Sequence, residues 1–311
     1  MSSKRIIGID IAKHKADIYD LQRQKHQTLE AKNYREWVDA LAQNKPDLVI
    51  MEATGGYERV IAGLLAASGI PLAIVNPRQV RDFAKAANQL AKTDAIDARV
   101  IALFGEALKI EAKSLPDHAT QALRDLMERR RQLVAMRVAE SNREAQAALP
   151  RVKKDIASML RFLDKQLTKL DDDLDREIKN TPAWREAENL LSGVPGVGKV
   201  TVRTLLSEMP ELGRLNRREI ASLAGLAPFN DDSAQHRGQR HIRGGRGNVR
   251  RVLYMASVSA VKHNPLIGRL YRRLRESGKT AKVALTACMR KLLLLLNSIL
   301  KTKTPFSEKT T

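Results

Sequence analysis

The sequence predicts an α/β domain, a long helical middle and a mostly helical, basic C-terminal domain. Three observations predict it. In the first third, short apolar runs rich in β-branched residues alternate with helical periods. Residues 117–180 contain no glycine and a single proline, Pro150. The net charge of +20 is segregated: residues 1–113 carry +3, residues 114–190 carry +1 and residues 191–311 carry +16. Those composition breaks divide the chain into three parts, 1–113, 114–190 and 191–311. At 43% hydrophobic residues the chain has the material for packed cores and is not a disordered polymer.

In the first part, Arg5–Ile11 (RIIGIDI) reads as a buried strand interrupted by Asp10. Strands follow at Lys15–Leu21 and Gln27–Ala31, then a helix at Tyr34–Ala42. Asp47–Glu52 is a further buried strand ending in an acid. Gly55-Gly56 breaks it, and Tyr57–Ala67 is an amphipathic helix. Pro71–Val75 is the fifth strand, Asn76-Pro77 opens a helix, and a last helix runs over Asp94–Leu108.

Four acids in this domain require explanation. Asp10 lies inside an apolar strand and Glu52 at the end of another; Asp94 and Asp97 share one face at a helix start. Singly, each has a structural reading: a buried hydrogen bond, a strand-end residue, a helix cap. Parallel strands ending at one sheet edge, with one helix turn beside them, would bring all four carboxylates together. Such a cluster suits hard divalent cations, Mg²⁺ above all, as one or two ions acting on a phosphate.

In the middle, Ile156, Leu160, Leu163, Leu167, Leu170, Leu174 and Ile178 recur at three- and four-residue steps, the spacing of a coiled-coil seam. Leu123, Leu126, Leu133 and Met136 start a matching face, and Pro150 marks a second helix start. A helical hairpin is expected, either packed on its own domain or serving as a dimerisation arm.

The basic third contains Gly193-Val-Pro-Gly-Val-Gly-Lys199, which has P-loop spacing. Val200 stands where a P-loop needs Ser or Thr, and Trp184–Leu191 reads as helix where a strand is required. The stretch reads better as a turn between helices resembling a helix-hairpin-helix. There Gly196, Gly198 and Lys199 would meet a DNA phosphate, or simply make a structural turn. Between 237 and 251 there are six arginines (Arg237, Arg240, Arg243, Arg246, Arg250 and Arg251), four glycines and no acid. A Gly/Arg loop of this kind suits a phosphate backbone. Ser233 precedes it, outside any helical pattern; its hydroxyl is a candidate nucleophile or a turn serine beside Asp231 and Asp232. Ser257 and Ser259 lie in the helical run Val249–Val261 and read as packing or back-bonded residues. A second basic stretch includes Arg272, Arg273 and Lys279.

Other classes are disfavoured. A single cysteine, Cys288, excludes an internal disulfide and a Cys-rich zinc module. The leucine run Leu292–Leu296 is too short to span a membrane, and no signal peptide is expected, which points to the cytoplasm. The excess of cations points to nucleic acid. With only 12 aromatic residues, contact with the nucleic-acid backbone and shape is expected more than extensive base stacking.

The segments Ile9-Asp10-Ile-Ala-Lys13, Met51-Glu52-Ala-Thr-Gly55 and Lys92-Thr-Asp94-Ala-Ile-Asp97-Ala98 resemble the DEDD tetrad of a RuvC-like, RNase H-type domain. They are similar in particular to transposases of insertion-sequence family 110, which includes the Piv/MooV invertases. Gly225-Leu-Ala-Pro228, then Ser233, then Arg237-Gly-x-Arg240-x-Ile242 and a Gly-Arg pair resemble that family's C-terminal domain; Ala234 stands where the family commonly has Gly. The resemblance implies a recombinase that cuts and rejoins DNA through Ser233 with Mg²⁺ held by Asp10, Glu52, Asp94 and Asp97. It also implies a homodimer or homotetramer, a guide (bridge) RNA and a place on the bacterial or archaeal nucleoid. Two other readings stay open: a metal-dependent endonuclease or junction resolvase using water, and a non-catalytic nucleic-acid-binding protein.

Overall fold

The computed structural model describes residues 4–89, 94–229, 232–233, 236–237 and 240–307. The chain forms two compact units, Met1–Pro116 and Asp117–Thr311, so the helical stretch after 117 and the basic part share one unit.

The first unit is built on a five-stranded mixed sheet. Its strands are β1 (Ile6–Ile11), β2 (Lys15–Asp20), β3 (Lys25–Glu30), β4 (Leu48–Glu52) and β5 (Leu72–Val75), in the order β3-β2-β1-β4-β5. Strands β1–β3 form an antiparallel meander, and β4 and β5 add in parallel beside β1. Eight of the nine strand and helix expectations for this part hold to within a residue; β3 starts two residues earlier than its apolar pattern suggests, because Lys25 pairs with Asp20 across the hairpin. Period-two alternation divides the side chains between two faces. Ile7, Ile9, Ile11, Val49 and Met51 pack with α1 (Tyr34–Ala42) and α2 (Glu58–Ala67). Ile6, Leu48, Ile50 and Ala73 pack with α3 (Pro77–Ala86) and α4 (Asp94–Ala107).

Helix α4 lies directly against β1, β2 and β4. Gly8 of β1 makes this possible. A Cβ there would overlap the Ala98 carbonyl oxygen and sit 2.6 Å from the Ala102 nitrogen. Gly105, further along α4, gives way to the Ile50 side chain in the same manner.

In the second unit, α5 (His118–Gln146) and α6 (Pro150–Asn180) pack along one another. Leu123 and Met127 meet Leu174 and Ile178, while Leu133 meets Leu163 and Leu170, so most of the predicted face is buried; Met136, placed on it by spacing, is exposed instead. Asp117 caps α5, its carboxylate accepting from the Thr120 amide at 2.7 Å. Helices α7 (Pro182–Ser192), α8 (Lys199–Glu208), α9 (Arg217–Leu223), α10 (Gly247–His263), α11 (Pro265–Glu276) and α12 (Ala281–Thr302) enclose a second core. Buried Arg203 binds Asp175 of α6 and Glu188 of α7, the latter at 3.0 Å, and fixes α8 to both.

Helix α12 is long and apolar enough to cross a membrane by length and composition, which the run-length reading missed because Ala, Thr, Cys and Met precede the leucines. Cys288, Met289, Leu292 and Leu296 of this helix are buried in the second core. Asn297 takes the Gly213 amide at 2.8 Å and donates to the Leu215 carbonyl at 3.1 Å, tying a loop to the helix. Burial pushes the Cys288 thiol up to about 11, which keeps it protonated and inert at neutral pH.

Because a Cβ at Gly8 meets backbone and one at Gly105 meets a movable side chain, Gly8→Ala is the costlier substitution. Chemical denaturation should show a loss of about 1–3 kcal/mol or more for Gly8→Ala and a smaller loss for Gly105→Ala.

Candidate active site and nucleic-acid interface

Strand β1 pairs in parallel with β4 in the register Ile9↔Met51, so Asp10 and Glu52 occupy the next adjacent positions at the strand ends. Asp10 shares the face of Gly8, and Glu52 that of Ile50; both therefore face α4. Asp97 lies one residue before Ala98, whose carbonyl covers Gly8, so the start of α4 passes the same strand ends. Asp10, Glu52 and Asp97 are each half-buried and each already engaged by a partner. Asp94 begins α4, but its side chain, like residues 92 and 93 of the motif, lies outside the described residues. Among the described residues no three acids, histidines or cysteines converge into a ready metal cage. The donor set is nonetheless all carboxylate oxygen, the chemistry that a hard divalent cation takes.

One acid escaped the sequence reading. Asp17 of β2 is the direct partner of Asp10 and is 4% exposed. Its carboxylate accepts from Thr28 Oγ1 at 2.6 Å, lies 3.0 Å from His26 Nε2 and pairs with Lys15 Nζ at 3.4 Å. Burial pushes this carboxyl up, but the bonds from Thr28 and His26 and the charge of Lys15 outweigh it and hold the group below the ordinary range. Its signal was available: an acid alternating with Ala16 and Ile18 in a strand. Glu58 has a related role after β4. It accepts from the Thr54 amide (3.1 Å), Thr54 Oγ1 (2.7 Å) and the Gly56 amide (2.9 Å), which shapes the turn that follows Glu52.

In the second unit, Ser233 sits on a small β-finger. β6 (Pro228–Phe229) pairs with β9 (His241–Ile242), and β7 (Asp232–Ser233) with β8 (His236–Arg237), with Ser233 opposite His236. The side chains of Ser233 and Arg237 lie outside the described residues. The neck of the finger is backbone on backbone. Gly225, with φ of 69°, and Gly245, with φ of 67°, leave no room for a Cβ against each other or against Gly244. The Arg246 amide donates to the Leu223 carbonyl at 3.1 Å.

The six arginines of the Gly/Arg stretch therefore divide. Arg246 is bidentate to Glu211, at 2.6 and 2.7 Å. Arg250 donates to the carbonyls of Gly244 and Ala224, the latter at 3.3 Å. Both are half-buried and clasp the neck, an intramolecular use that the sequence reading did not anticipate. Arg240, Arg243 and Arg251 are exposed, as are Arg272, Arg273 and Lys279. Burial pushes the Glu211 carboxyl up, but the Arg246 guanidinium more than offsets this and holds it below the usual range.

The Pro-Gly turn also resolves into two roles. α7 precedes it, as expected, and a P-loop is excluded. Gly196, with φ of 92°, packs against the backbone of Ala260 in α10, so its lack of a side chain serves helix packing. Gly198 and Lys199 remain on the outer side at the start of α8, with Lys199 Nζ 3.6 Å from Asp175. The Ser257 hydroxyl is buried without a hydrogen-bond partner among the described residues; it is a packing residue and is not back-bonded.

A transposase family model for the DEDD domain of IS110 elements matches residues 7–152, and a second, described as transposase IS116/IS110/IS902 family, matches residues 188–272. The chain is 28% identical to the pilin gene-inverting protein of Moraxella bovis, across 99% of both chains, and equally so to that of Moraxella lacunata. It is 26% identical to the transposase of insertion sequence element IS1328 from Yersinia enterocolitica, covering 73% of this chain and 75% of that one. The chain belongs to the insertion-sequence 110 family of transposases, a family of DNA-modifying enzymes.

The Glu211–Arg246 pair yields a pH-dependent prediction. Glu211→Gln should speed hydrogen exchange of the amides around 244–246. Its stability deficit against the native chain should be full at neutral pH and vanish as the pH falls through the depressed Glu211 pKa, where the native carboxylate also protonates. A deficit independent of pH would contradict the pairing.

Proposed function

We propose that this transposase is a site-specific DNA recombinase that cuts and rejoins strands through a phosphoserine at Ser233. The observation that supports it most is the placement of Asp10 and Glu52 on neighbouring parallel strand ends, under the helix start that bears Asp97 and Asp94. In this reading the sheet domain is RNase H-like. The four carboxylates of Asp10, Glu52, Asp94 and Asp97 would hold one or two Mg²⁺ ions, which would supply Lewis-acid polarisation of the scissile phosphate. Ser233 Oγ attacks phosphorus; the Oγ–P bond forms as the bond to the departing strand oxygen breaks, and the hydroxyl proton ends on that oxygen. The bond energy is retained for rejoining. Exposed Arg240, Arg243 and Arg251, with Arg237, neutralise phosphate beside the finger, and Gly198, Lys199, Arg272, Arg273 and Lys279 hold the flanking duplex.

Val138 of α5, Val152, Met159 and Phe162 of α6 and Leu149 between the two helices are exposed apolar residues. This supports a coiled-coil contact between copies, in a homodimer or homotetramer that gathers two duplexes. No recognition helix is evident in the sequence, and base pairing by a guide (bridge) RNA would supply target choice, in the cytoplasm on the nucleoid.

The test is covalent. Incubated with its DNA and Mg²⁺, the native chain should form a protein–DNA adduct that maps to Ser233. Ser233→Ala should lower strand cleavage by more than about 10³-fold, and Asp10→Asn or chelation of divalent ions should do the same. A water-using endonuclease would cut without an adduct and survive Ser233→Ala. A non-catalytic binder would show neither activity.

A further inference from the structure

The first unit carries a second concave feature that the proposed chemistry does not use. A half-open pocket of about 210 Å³ lies between α1 and strands β1–β3. Its floor is Ile7, Ile18 and Leu41, and the half-buried Trp37 ring forms one wall. These residues belong to the α1 side of the sheet, whereas Asp10 and Glu52 face α4; the pocket is thus on the opposite face from the acids.

The rim chemistry is specific. Asp20 is the one acid, and Arg5 neutralises it, donating to its carboxylate at 2.9 Å while also bonding the Asn44 carbonyl at 2.5 Å. That leaves Arg23 and Lys25 at the hairpin turn as surplus cations. Arg23 is half exposed and 3.9 Å from Asp20, and Lys25 is exposed and makes no ion pair among the described residues. Gln27 contributes an amide that makes no hydrogen bond among the described residues.

A small pocket lined by an indole and aliphatic side chains, with a donor–acceptor amide and two surplus cations, fits a planar heterocycle attached to phosphate. The volume falls below the roughly 300–1,000 Å³ of sites for larger ligands, so it holds a single ring system. A base paired in a duplex cannot enter it. We propose that this pocket binds one unpaired nucleotide of a single-stranded nucleic acid: the base stacks on Trp37 and is read by Gln27, and Arg23 and Lys25 hold its phosphates. It is a docking site for a strand, separate from the phosphodiester that reacts, and it does not depend on Ser233 being the nucleophile.

The chain has two tryptophans, so Trp184→Phe leaves Trp37 as the sole reporter in the full-length protein. Its emission is followed during titration with a short unstructured RNA, the same sequence as DNA, that strand with abasic sites, and a blunt duplex. Saturable quenching by single strands, absent with the abasic strand and the duplex, is the expected result. Quenching by RNA alone or by DNA alone would identify the source of the nucleotide. Arg23→Ala with Lys25→Ala, both outside the core, should weaken the quenching transition by about tenfold. The proposal is overturned if single strands that bind the protein by mobility shift leave Trp37 emission unchanged. It is equally overturned if the double variant titrates like its parent, or if the abasic strand or the duplex quenches as strongly.

Discussion

The contact on which the proposed catalytic face depends is the bare backbone of Gly8 beneath helix α4. Without a side chain at this one position of β1, the Ala98 carbonyl and the Ala102 amide come down onto the strand. That close approach sets the depth at which the helix start, with Asp94 and Asp97, passes the ends of β1 and β4. The sheet contributes the rest through alternation: two residues beyond Gly8 is Asp10, and two beyond Ile50 is Glu52, so all project toward the same helix. Neighbouring carboxylates repel, and the protein spreads this cost over partners. Asp17, directly beside Asp10, is satisfied by Thr28, His26 and Lys15, and Glu58 by the turn that follows Glu52.

The basic unit solves a different problem. A chain segment with six arginines and four glycines has little apolar material to hold it, yet it forms paired strands. Two of its own arginines do the holding. Arg246 is drawn inward by Glu211, and Arg250 by two backbone carbonyls, while the glycines let the two ends of the neck touch. The remaining exposed cations are thereby presented outward from a fixed base, an arrangement suited to contact with a polyanion. The Pro-Gly turn follows the same logic: Gly196 serves packing on α10 and Gly198 faces outward.

Much of this was legible in the residues. The β-branched runs located all five strands of the sheet, and the three- and four-residue leucine steps located the seam between α5 and α6. Asp10 and Glu52 stood out because an acid in an apolar strand is costly. Asp17 did not, because its strand is mixed and the partners that satisfy it, Thr28 and His26, lie on the next strand, where only pairing reveals them. The division of labour among the arginines was equally hidden. Composition treats Arg246 and Arg243 alike, and only the turn that places Glu211 beside one of them separates a structural cation from an exposed one. Helix α12 was hidden in another way: its leucine run is too short to suggest a membrane span, the whole helix is long and apolar enough for one, and its burial assigns it to a core.

The central claim is that the acidic face and Ser233 act on the same phosphodiester. Sulfur substitution of one non-bridging oxygen at the scissile phosphate tests this most directly, with the Ser233 adduct as the readout. The account predicts that the substitution suppresses the adduct in Mg²⁺ and that a thiophilic divalent ion such as Mn²⁺ restores it, with no restoration in Asp10→Asn. An adduct that forms equally well with sulfur in Mg²⁺, and equally well without Asp10, would contradict the account.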